Sequence, residues 1–173
     1  MRDSDQTRSH RLPSATWVLP IDNAAIGFLE AAASCLRGEL TVCFEHAFAD
    51  QKALDLYDAN RTHRRFEIDR DTLEPETELH FCRLTLEFAL QLTLLALERD
   101  ASELFWHIKA FDEERLIFWI HDAYGESTVY LSGRVAESEV RHLSSECGSS
   151  ASQIETSIDW ELIRRVPDRD LDS

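Results

Sequence analysis

Lysine is almost absent from this chain. Of 18 basic residues only Lys52 and Lys109 are lysines, and those 18 face 33 acids, for a formal net charge of −15. A field of that sign repels nucleic acid and anionic lipid and speeds the encounter with cationic partners. The arginine bias is a codon-level hint of a GC-rich bacterial source. Glycine is scarce too: Gly27, Gly38, Gly125, Gly133 and Gly148 stand apart from one another. Phosphate-cradling loops cluster their glycines so that backbone amides can approach the anion. Dinucleotide-binding and P-loop enzymes are therefore disfavoured. Neither a G-x-S-x-G elbow nor an H-E-x-x-H helix occurs.

Cysteine is sparse and widely spaced. Cys35, Cys43, Cys82 and Cys147 form no C-x-x-C pair, so they read as free thiols of a reducing compartment rather than a disulfide framework. No apolar run reaches the roughly 18 residues that a membrane span requires. The first twenty residues carry Arg2, Arg8 and Arg11 around no apolar core. No secretory leader or membrane partner is expected, and the expected location is the cytoplasm.

What is present is ordinary globular composition, with 43% hydrophobic and 29% charged residues over 173 positions. That length suits one domain with a core large enough to fold without metal or disulfide. The expected organisation is a flexible tail over 1–14, a single domain over 15–166 and an acidic tail over 167–173. The excess acid is uneven, rising from −2 over residues 1–70 to −8 over residues 103–173.

Periodicity points to an α+β fold, a mostly antiparallel sheet with two principal helices packed against it. Trp17 to Ile21 reads as a first strand. Asp22 or Asn23 is a good N-cap for a helix reaching about Arg37, where Gly38 stops it. Leu40, Val42 and Phe44 alternate with Thr41, Cys43 and Glu45 as a strand does. A short helix over 48–60 and a short strand from Arg65 to Ile68 follow. From Glu76 to Arg99 two periods compete. Leu84 to Leu94 alternate perfectly, yet His80, Glu87, Gln91 and Glu98 stack into one polar stripe on a helical wheel. The length and the scarcity of β-branched residues favour one long helix buried on most of its circumference. That reading predicts that Glu87→Pro unfolds the protein.

Further on, Leu104, Trp106, Ile108 and Ala110 share one face of a strand. Leu116, Phe118 and Ile120 share the matching face of the next, and Thr128 to Leu131 form a third. Residues 137–144 fit a helix or a strand, 144–153 a flexible loop, and Ile158, Trp160 and Leu162 a last strand.

Chemistry-bearing residues are few. Cys43, Glu45 and His46 are near one another in sequence, as are His80 and Cys82. In regular structure their side chains diverge, so no metal site or other cofactor is expected. Pairing Ala110 with Leu116 would place His107 and His121 on one face near Trp119, either as a binding patch or packed under a helix. The basic cluster Arg61, His63, Arg64, Arg65 and Arg70 interleaves with Glu67, Asp69 and Asp71, which favours internal ion pairs over nucleic-acid contact.

Two acidic turns remain, Asp112–Glu113–Glu114 and Asp122, Tyr124 and Glu126. With Trp119 they form the expected partner-binding surface, carboxylates steering the encounter and an aromatic anchoring it. No catalytic residues stand out. The leading expectation is a non-catalytic acidic binding protein for a basic partner, such as a toxin held by an inhibitor of the immunity or antitoxin type. The alternatives are a small hydrolase or transferase with an unfamiliar site and a nucleic-acid mimic. Homodimerisation through the aromatic hairpin is open as well.

Overall fold

The computed structural model describes residues 14–22, 25–64, 66–68, 70–72, 76–113, 115–158, 160 and 164–165. The expected tails, apart from Ser14, lie outside these residues. In chain order the elements are β1 (Ser14–Ile21), α1 (Ile26–Cys35), β2 (Leu40–His46), α2 (Gln51–Ala59), β3 (Phe66–Glu67), β4 (Glu78–Arg83), α3 (Leu86–Ala96), β5 (His107–Asp112), β6 (Arg115–Ile120), β7 (Ser127–Ser132), α4 (Glu137–Glu146), β8 (Ser152–Thr156) and β9 (Arg164–Arg165). A 3-10 turn at Ala101–Glu103 precedes β5.

Seven strands form one antiparallel sheet in the order β4-β2-β5-β6-β7-β1-β8, and β3 pairs with β9 separately. The α+β class and the antiparallel sheet agree with the sequence reading. The helix layer has α1 packed between α3 and α4, and α2 beside α3. Beneath it lies the main core. Phe44 stacks on Tyr57 at 4.8 Å, and Phe118 meets Phe28 edge-on at 5.0 Å. The far side of the sheet carries a smaller cluster of Cys43, Phe66, Phe111, Leu116 and Trp160. The backbone of β1 passes Pro20 without penalty, because β8 pairs only with residues 14–18 and leaves that edge free.

Several local expectations change. The single helix over 76–99 is instead a strand and a shorter helix. Thr85 divides them: extended at φ −119°, ψ 158°, it accepts the Phe88 amide at 3.1 Å as the N-cap of α3. The alternation from Leu84 to Leu94 is no strand signal: it begins after β4 ends at Arg83 and falls almost wholly on α3. Helix α1 starts at Ile26 behind Ala25, whose amide reaches Ala123 O at 2.9 Å, and not on a side-chain cap at Asp22. Asn23 is outside the described residues. Strand β5 starts at His107, so Leu104 and Trp106 precede it.

Phe118 and Leu116 do not share a face. A bulge at Ile117 pairs Ala110 with Phe118 and Phe111 with Leu116. Phe118 therefore joins the core under the helices, while Leu116 joins the far cluster. Residues 137–146 are helical. The last long strand is β8, which begins inside the segment expected to be a loop. Ile158 and Trp160 fold back over the far face of the sheet instead of forming a strand, and Leu162 is outside the described residues.

Candidate functional site

The two expected acidic turns are at opposite ends of β6. The first is the tight β5–β6 connection, where Glu113 takes the left-handed conformation (φ 55°) that such hairpins require. The second connects β6 to β7. Six residues of strand separate them by ~20 Å, so they do not form one surface. Asp112 is also neutralised locally. Arg115 approaches it at 3.5 Å, and Arg37 and Arg134 line the same small cleft. Glu114 is outside the described residues. At the other end, Asp122, Tyr124 and Glu126 are exposed, with Trp119 half-buried nearby on the strand.

Trp119 is part of a polar network on the far face of the sheet. Its Nε1 donates to Asp71 at 2.6 Å, and Lys109 donates to the other oxygen of the same carboxylate at 2.9 Å. Glu45, only 3% exposed, accepts the backbone amides of Asp71 and Thr72 at 2.8–2.9 Å. Two buried carboxylates are thus balanced by one ammonium, an indole and two amides. Such groups stay buried only when paired and hydrogen-bonded. The segment from Arg70 to Thr72 roofs this face, where the sequence suggested a helix.

His107 and His121 stand directly opposite one another, with ring centroids 4.3 Å apart. Register through the bulge places them there; the expected pairing of Ala110 with Leu116 does not hold. His107 is 5% exposed and its Nδ1 accepts the Asp122 amide at 3.0 Å. Burial holds its proton affinity below that of an ordinary histidine, and His121 adds to this, while Asp71, Glu45 and Asp122 pull the other way. Asp122 has φ 52° and sets its carboxylate 3.1 Å from His121 Nδ1. Among the described residues, His107, His121 and Asp122 are the group of potential metal ligands that converges.

The sequence neighbours Cys43, Glu45 and His46 do not converge. Cys43 and Glu45 face the far side, while His46 packs against Trp106 with its ring tilted and bonds Ser102 O at 2.7 Å. The Cys43 thiol is pushed far up by burial, and Cys82, held up to about 12 by burial first and Asp58 second, bonds Tyr57 O. Neither thiol is a ready nucleophile at neutral pH. Cys82 does line a cleft of about 580 Å³ with Asp58, Arg61, Glu78 and His80. Burial lowers the proton affinity of His80 as well.

Helix α3 carries the feature that sequence reasoning missed. Leu86, Leu90, Leu94 and Leu97 are 45%, 46%, 63% and 79% exposed. At 100° per residue they fall within about 80° of one another, one continuous ridge on the solvent side. Phe88, Ala89, Leu92 and Leu95 fill the buried side. Glu87 and Gln91 border the ridge on one edge. Glu98, paired with Lys52 at 2.8 Å, follows on the same edge, and Thr93 bonded to Glu30 borders the other. The pairs Lys52–Glu98 and Arg99–Asp50 bring the start of α2 to the end of α3. Phe48, two residues before Asp50, is 67% exposed. No protein-family model matches the chain, and comparison with curated proteins and with solved structures finds no match.

Proposed function

We propose that the protein is a non-catalytic binding protein whose docking surface is the leucine ridge of α3. The observation that supports this reading is the ridge itself. Four leucines at i, i+4, i+8 and i+11 face solvent on a domain that buries Phe28, Phe44, Phe88 and Phe118 completely or nearly so. Contiguous exposed apolar surface of this kind marks interaction sites, and a helical stripe suits a second helix or an apolar groove.

Charge selects the partner. Glu30, Glu87 and Glu98 border the ridge on a chain of net charge −15. A segment with an apolar face flanked by arginine or lysine complements both features, whereas a second copy of this chain would bring the same acids into contact. An inhibitor of the immunity or antitoxin type, holding a basic toxin in the bacterial cytoplasm, is the form of this reading that matches the size, the charge and the free thiols. Glu113 and the exposed acidic turn at Asp122–Glu126 then contribute to steering.

The nucleic-acid mimic has less support, because Arg37, Arg83, Arg115 and Arg134 interrupt any continuous negative face. The enzyme reading rests on the cleft at Asp58 and His80.

Capture from a cell lysate with wild type and with L90E/L94E, each washed at low and high salt, tests the proposal. A basic protein held in near-equal molar amount by the wild type, released by salt and lost in the variant is the expected result. Equal capture by both would remove the ridge from consideration.

A further inference from the structure

We propose that His107, His121 and Asp122 form a site for a divalent transition-metal ion of the zinc type. The site lies where β5 and β6 meet the β6–β7 connection. The ligand atoms of the three side chains lie within 4.8 Å of one another. The Asp122 carboxylate oxygens are 3.1 Å from His121 Nδ1 and 3.8 Å from His107 Nδ1. A tetrahedral ion with bonds near 2.0–2.2 Å holds its ligand atoms ~3.4 Å apart. The remaining contraction falls on His121 and Asp122, which are exposed and can turn, while the sheet holds His107 in place.

The donor set selects the ion. Two imidazoles and one carboxylate suit Zn²⁺, Ni²⁺, Co²⁺ or Cu²⁺, whereas Mg²⁺ and Ca²⁺ prefer oxygen ligands throughout. The surroundings favour a cation. Glu45 is opposite His107 in the β2–β5 register, and the Asp71 carboxylate also acts on that imidazole. An ion on His107 Nδ1 competes with the Asp122 amide that now donates to it at 3.0 Å. The exposed turn carrying that amide is the part that yields.

Asp122 adopts the left-handed backbone conformation. A non-glycine residue at φ 52° is unusual, and here it directs a carboxylate at two histidines. His121 and Asp122 also line a shallow, open cleft together with Glu126, Ser127, Thr128 and Tyr130. Trp119 stands beside the site, its ring 5.9 Å from that of His121.

The test is calorimetric titration of the full, untagged chain with Zn²⁺ at pH 7.5. It compares wild type with H121A, D122N and the remote control H142A. Asparagine keeps the left-handed turn and removes the charge. One ion per chain is expected, weakened more than about tenfold in H121A and in D122N and unchanged in H142A. Cu²⁺ should quench the indole fluorescence of wild type, with the quenched component lost in W119F and the quenching itself lost in H121A. Circular dichroism confirms that each variant is folded. Zn²⁺ binding of equal affinity in wild type and H121A, or no saturable 1:1 binding by the wild type, overturns the proposal.

Discussion

The helix-covered face of the sheet buries Phe44, Phe118, Ile120 and Leu131 among other apolar side chains. The opposite face buries Glu45 and His107 and leaves the side chains of Asp71 and Lys109 only 11% and 13% exposed. The two faces differ in kind: the far face carries this polar network beside its smaller apolar cluster. Apolar packing is non-directional and tolerates local exchange at some cost in cavity. A buried polar network depends on each partner, because a group left alone keeps its full desolvation penalty. One sheet thus has a side that supplies stability and a side whose geometry is held by specific bonds.

The largest expected effect is on the apolar side. Phe118→Ala removes the edge-on partner of Phe28 from a fully buried position and should cost about 3–5 kcal/mol in chemical denaturation. On the polar side, Asp71→Ala takes away the acceptor shared by Lys109 and Trp119. A loss of about 3 kcal/mol is expected, with Asp71→Asn recovering part of it through the indole bond. If the asparagine variant matched wild type, the charge on Asp71 would be irrelevant and the contrast between the faces would weaken.

A smaller effect follows from pH. Burial lowers the proton affinity of His46, His80 and His107 in the folded state. The unfolded chain then binds more protons between the folded values and the ordinary histidine value of about 6.5. The stability these groups contribute is complete above that value and declines as pH falls through and below it. The denaturation midpoint should drop between pH 7.5 and 5.5. A His107→Gln variant should show a shallower slope, and an unchanged slope would place the effect on the other two.

Two further changes sharpen the boundary between β4 and α3. Thr85→Ala removes the cap of α3 and should cost about 1 kcal/mol. Glu87→Pro, which would break one long helix, instead falls in the first turn of α3, where proline is tolerated. It should cost less than Thr85→Ala, and unfolding would restore the single-helix reading. Smallest of all, L90E/L94E should shift stability by no more than about 0.5 kcal/mol per site, as exposed substitutions do, while abolishing partner capture.

Helix α1, strand β2 and the β5–β6–β7 meander were legible from residue pattern, because each has a clean period and flanking turn residues. The division of 76–99 was not, although Thr85 carried a capping signal three residues before Phe88. The ridge on α3 was hidden for a different reason. A helix apolar on most of its circumference reads as buried all round, and the sequence does not say which neighbours will cover it. Of the expected docking residues, the two acidic turns were legible as turns, but their placement at opposite ends of β6 follows from the strand between them.

Sequence by itself determined what depends on short-range physics: the α+β class, the acidic field, the absence of phosphate-loop motifs and most element types. Tertiary structure decided what depends on residues distant along the chain. A single bulge at Ile117 sent Leu116 and Phe118 to opposite faces and set His107 against His121. The fold-back of the Arg70–Thr72 segment buried Glu45 and Asp71 beside Lys109. The packing of α3 between α1 and α2 left four leucines in solvent. In each case one local pattern is compatible with several surroundings, and only the folded chain selects among them.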